Sequence, residues 1–247
     1  MWDSFRPFPG PRDPVSAGTH FFALLGAVYA TAILWRICRG DRRKQWSLAC
    51  FGVSMIALYL ASATYHSVRG SPERLQFYRL LDHSAIYGLI AGTYTPLFAV
   101  LLRPGRKRRL ALALIWGFAA VGIAAKWLFP DVPYWLTISL YLGMGWAGVL
   151  ALPRLVRAVG LWPMLFGLLG GLFYTLGGLA DFFGWPVLRP GLIGPHEVFH
   201  VCDMLGTSCH VLFMLRYVVP FRGYPVLPPL PEPAPSPAVF APEQSVV

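Results

Sequence analysis

The sequence predicts an all-α polytopic membrane protein, a bundle of seven transmembrane helices. Three observations carry this. Of 247 residues, 56% are hydrophobic and only 13% are charged, against about 25% charged in ordinary soluble domains. The mean hydropathy is +0.54. The apolar runs are long and continuous, as spanning helices require, and lack the short alternation of barrel strands. The length accommodates about seven helices of roughly 20 residues with short connections.

Residues 1–14 begin MWDSFRPFPGPRDP. This proline-rich start has no apolar run and is read as a short N-terminal extension, not as a cleavable signal peptide. The first span, 15–37, then serves as the insertion signal, with His20 near its start. A basic loop, RICRGDRRK, leads to span two at 46–66, which ends in the polar cluster Ser62-Ala-Thr-Tyr-His66-Ser67. Span three, 77–101, opens on Asp82-His83-Ser84 and carries Gly88 and Gly92 at GxxxG spacing, which predicts a close helix contact. The loop RPGRKRR precedes span four at 110–129, and Pro130–Pro133 form a tight turn before span five at 134–152. Span six, 162–183, is rich in glycine, which lets neighbouring helices approach closely. Span seven, 196–219, follows Pro195, a residue suited to the first turn of a helix because its missing N–H is not needed there. The seven-helix domain thus occupies 15–219, and the proline-rich tail within 220–247 is expected to be disordered. Nothing in the pattern specifies an oligomer.

The net charge is +10. In a soluble chain that would suggest nucleic acid, but no nucleic-acid motif is present and the basic residues sit in loops beside the spans. The odd-numbered connections and the C-terminus hold 14 of the 21 Lys and Arg. The positive-inside rule therefore favours an outer N-terminus and a cytoplasmic C-terminus in a cell membrane. Cys38, Cys50, Cys202 and Cys209 have no CxxC spacing, so neither a disulfide framework nor a cysteine zinc site is indicated.

The most informative stretch is 194–210, GPHEVFHVCDMLGTSCH. His196 and His200 are four apart and share one helix face. Asp203, Thr207 and His210 continue that stripe at about 100° per residue. Ionisable groups on a spanning helix are costly and mark a site by default. Span two ends, and spans three and seven begin, on one side of the membrane, so His66, Asp82, His196 and His200 meet near one face. Three imidazoles with an open fourth position match a catalytic zinc site, where zinc brings the pKa of a bound water towards neutrality. Asp82 is placed to accept that water's proton or orient it. Ser62, four residues before His66, or Tyr65 is placed to support the ligands or bind a developing oxyanion. The same histidines also fit the plainer role of hydrogen-bonded packing residues. His210 lies about 21 Å along the helix from His196, too far to share its metal, and is expected to bond another helix. His83 points away from Asp82 and is read as structural. His20 is read as a cap or a cavity wall, and Asp203 as either a site contact or a pairing partner within the bundle.

Ser62-Ala-Thr-Tyr-His66 resembles the Ser-x-x-x-His motif of the hemolysin III family. The run from Asp82 to Pro96, DHSAIYGLIAGTYTP, resembles that family's third-span signature, and His196-Glu-Val-Phe-His200 its closing His-x-x-x-His. Thr19-His20 and the spacing of His210 are similar too. The family is similar to the progestin and adipoQ receptors and to the alkaline ceramidases, within a wider superfamily of membrane hydrolases. The resemblance implies a seven-helix bundle with Zn2+ held by His66, His196 and His200. It implies Asp82 as the carboxylate that holds the zinc-bound water and Ser62 as the motif serine near the metal. The function this favours is zinc-dependent hydrolysis of a lipid amide or ester within the bilayer, with a membrane lipid as substrate or ligand. A membrane sensor or receptor with structural zinc, and a pore-forming cytolytic protein, are the alternatives.

Overall fold

The computed structural model describes residues 10–224. Most of the N-terminal extension and of the proline-rich tail lies outside them. The described residues contain seven helices long and apolar enough to cross a membrane and no strand. They run as α1 (Pro14–Ile37), α2 (Arg42–Ser67), α3 (Pro72–Leu101), α4 (Arg106–Leu128), α5 (Tyr134–Trp146), α6 (Leu152–Val159), α7 (Leu161–Phe183) and α8 (Pro195–Phe213). The outer faces are apolar: Phe22, Val121, Leu128 and Trp162 are each at least 70% exposed. In water such a surface would associate; in lipid it is the solvated face.

Local chemistry sets the helix ends. Asp41 and Ser71 cap α2 and α3 by accepting from the backbone N–H of Lys44 and Arg74. Pro14, Pro72 and Pro195 occupy first turns. Glu197 Oε2 accepts from the Gly194 N–H at 2.8 Å, a reach-back bond that fixes the start of α8.

The fifth span differs from the expected helix over 134–152. It reaches Val159 and is interrupted by a 3₁₀ stretch, Ala147–Ala151, before α6 begins with Pro153 in its first turn. Freed backbone groups inside a membrane need partners. Tyr94 supplies them: its hydroxyl donates to the Gly145 carbonyl and accepts from the Gly148 N–H at 2.9 Å. Only a residue without a side chain tolerates this approach, because a Cβ at Gly148 would lie 2.3 Å from the Tyr94 ring. The GxxxG expectation is met at one of its two glycines. A Cβ on Gly92 would lie 2.0 Å from Ser54 Oγ of α2, whereas Gly88 has open space beside it.

The helices close into a ring in which α1, α2, α3, α5, α7 and α8 each pack on the next and α8 returns to α1. Helix α4 packs outside this ring against α3 and contributes nothing to the wall of the interior cavity. That cavity, about 220 Å³, begins at Asp82, His196 and His200 and reaches Leu155, Met164 and Phe213. Its span along α3, from Asp82 to Leu97, is about 22 Å at 1.5 Å per residue.

Candidate metal centre

The end of α2 and the first turns of α8 bring His66, His196 and His200 together, with ligand atoms all within 4.8 Å of one another. His66 and His200 are buried; the His196 side chain is 41% exposed. Each ring is held from behind at Nδ1. Asp13, immediately before α1, has its Oδ2 3.0 Å from His66 Nδ1. Asp181, near the end of α7, has its Oδ1 3.0 Å from His196 Nδ1. Thr19 Oγ1 lies 3.3 Å from His200 Nδ1, and its own proton goes to the Ser16 carbonyl. Each arrangement favours the ring proton on Nδ1, which in a neutral imidazole leaves Nε2 as a lone-pair donor.

The consequence is chemical. His66 Nε2 and His196 Nε2 face each other at 3.2 Å. Two lone pairs at that distance repel unless a proton or a metal ion lies between them. Two nitrogens bound tetrahedrally to zinc at about 2.05 Å stand about 3.3 Å apart, so the spacing suits a shared ion. The backing carboxylates are the usual supports of metal-binding histidine. The residues present therefore fit a metal held by three imidazoles.

The N-terminal segment clamps this centre. The Asp13 N–H donates to the His66 carbonyl at 2.9 Å. Arg12 pairs with Asp13 at 3.0 Å and lies 4.4 Å from the centre of the Tyr65 ring. Burial raises the Asp13 pKa, but hydrogen bonds from His66 and Arg12 prevail and hold it below the usual carboxylate value. Ser16 donates to Glu197 Oε1 at 2.7 Å, joining α1 to the start of α8.

Asp82 is 8% exposed and lines the cavity beside His196 and His200. Ser62 stands next to its carboxylate and lines the same space. Tyr65 turns its ring to His66 and Arg12 instead. His210 bonds another helix, its Nε2 meeting the Gly167 carbonyl of α7 at 3.1 Å. His20 stacks on His200 with ring centres 3.6 Å apart, outside the three-histidine group, and faces Asp203. Sequence reading overlooked Asp13 and Asp181. For Asp181 a signal existed, since it is an ionisable residue in the otherwise apolar span six. Asp13 lies in a polar segment where an acid attracts no notice.

The model for haemolysin-III-related proteins matches residues 9–211. The chain belongs to the haemolysin III family. Hemolysin-3 of Bacillus cereus is 36% identical over 170 residues, covering 69% of this chain and 74% of that protein. The Hemolysin-3 homolog of Bacillus subtilis (strain 168) is 32% identical over 173 residues, covering 70% and 78%. This haemolysin III-type protein is thus a multi-pass integral membrane protein.

Proposed function

We propose that this haemolysin III-type protein is a zinc-dependent hydrolase of a lipid amide or ester, acting from within a cell membrane. The observation that carries the reading is the 3.2 Å approach of two Nε2 atoms whose rings are fixed from behind by Asp13 and Asp181. A zinc ion with three imidazole ligands and an open position supplies Lewis acidity and acidifies a water. His66, His196 and His200 hold it; Asp13, Asp181 and Thr19 keep their rings in register. Asp82 takes the proton of the attacking water and passes it to the leaving nitrogen or oxygen, as the C–N or C–O bond breaks and the water oxygen joins the carbonyl carbon. Ser62 orients the Asp82 carboxylate. The apolar cavity receives the acyl chain, so the substrate arrives laterally from the bilayer. The loop charges favour an outer N-terminus, which puts the chemistry at the outer leaflet.

The test is metal analysis of purified protein beside His196→Ala, then lipid profiling of cells carrying each form. About one zinc ion per chain is expected in the wild type, with loss in the variant and accumulation of an amide- or ester-linked lipid. Asp82→Ala should keep its metal and lose turnover by at least about a hundredfold. Full turnover in that variant, or wild-type protein free of divalent metal, refutes the proposal.

The names of the Bacillus relatives favour a second reading, membrane lysis. Solute release from loaded liposomes that a chelator leaves unchanged would support it over hydrolysis.

A further inference from the structure

One turn below the three-histidine group lies polarity that the chemistry above does not use. Both ring nitrogens of His20 and Oδ2 of Asp203 are buried without a hydrogen-bond partner. The two residues are 2% and 5% exposed, and both line the cavity. A neutral imidazole offers one donor and one acceptor, and leaving such groups unpaired in a buried site is costly. His20 Nε2 and Asp203 Oδ2 are 3.8 Å apart, too far to bond directly. One oxygen atom at about 2.8 Å from each would bridge them. The surrounding wall includes Leu58, Ile86 and Leu89. A buried water usually makes about three hydrogen bonds, one more than a bridge between these two atoms uses. A hydroxyl on a carbon chain needs only two: it donates to Asp203 and accepts from His20.

Position narrows the class further. Asp203 lies three residues beyond His200, about 4.5 Å deeper along α8. His20 is stacked face to face on His200 at 3.6 Å, so this pair is fixed relative to the metal centre. A hydroxyl bound here sits on the chain that enters the cavity, a few bonds from the carbonyl at the metal. We infer that His20 and Asp203 form a subsite for a chain hydroxyl, and that the ligand is a β-hydroxyacyl amide or ester. The inference rests on the proposed reading of the cavity as the acyl-chain site.

The test compares two probes, N-palmitoylethanolamine and its β-hydroxypalmitoyl counterpart, by equilibrium binding to zinc-loaded full-length protein in detergent. The wild type should prefer the hydroxylated probe by about tenfold or more. Asp203→Leu should bind both equally while keeping its metal. His20→Phe, which retains an aromatic ring against His200, provides the same readout if Asp203→Leu does not fold. Equal affinities in the wild type, or a preference that survives in a folded variant, overturn the inference. The hydrolase reading is scored separately by turnover. Preference without turnover supports the subsite and sinks the hydrolase; turnover without preference does the reverse.

Discussion

Removing the carboxylate behind His196 should weaken metal binding more than removing the one behind His66, although the two bonds have equal length. Asp181 and Asp13 each stand 3.0 Å from an Nδ1, so bond geometry alone predicts equal effects. The rings differ in what else holds them. The His66 side chain is 4% exposed and fixed by packing, whereas that of His196 is 41% exposed. Without Asp181 the His196 ring is free to swing out; without Asp13 the His66 ring has nowhere to go. The acids differ as well, since Asp181 is 20% exposed and Asp13 40%, so solvent weakens the second bond more. Loss of such a supporting group costs about 10–100-fold in metal affinity. Asp181→Ala should lie near the hundredfold end, about 2.8 kcal/mol, and Asp13→Ala near tenfold, about 1.4 kcal/mol. Competition against a chromophoric zinc chelator in detergent measures both. Tyr134 also donates to Asp181, so Tyr134→Phe is the control and should leave affinity within about threefold of wild type. Equal losses, or a larger loss for Asp13→Ala, would refute the role assigned to ring confinement.

Other outcomes follow from the packing. Gly92→Ala should lower thermal stability by about 1–3 kcal/mol, because its Cβ would meet Ser54 at 2.0 Å from Oγ; Ser54→Gly should restore part of it. Gly88→Ala, with open space beside it, should be neutral or stabilising by up to about 1 kcal/mol. Tyr94→Phe should cost about 1–3 kcal/mol, since Gly145 and Gly148 lose their shared hydroxyl partner, and unfolding in detergent reports it. Ser62→Ala should retain zinc, read by metal analysis, and lower turnover of a lipid amide about tenfold, because Asp82 loses its neighbouring hydroxyl.

The spans were legible because bilayer thickness imposes one length on every helix. His196 and His200 were legible because their spacing is a helix period, and His66 because α2 ends where α8 begins. The supports of those rings leave no such trace. Asp13 and Asp181 approach the group from the residue before α1 and from α7, and only tertiary packing joins them to it. The broken fifth span was hidden for a similar reason. The break is accommodated by Tyr94, on another helix, whose hydroxyl serves the Gly145 and Gly148 peptide groups. His20 was hardest to place, because stacking on His200 needs a face-to-face approach that spacing along one helix does not encode.

The bond between Ser16 and Glu197 joins positions 181 apart, and Thr19 reaches His200 over the same separation. A ribosome adding about 5–20 residues per second needs roughly 9–36 s to cover that interval. For its last 130 residues, His66 is already made while His196 and His200 are not. On the proposed reading, capture of an ion therefore waits for the last helix to enter the membrane, and a chain terminated before His196 carries only one of the three imidazoles that would hold it.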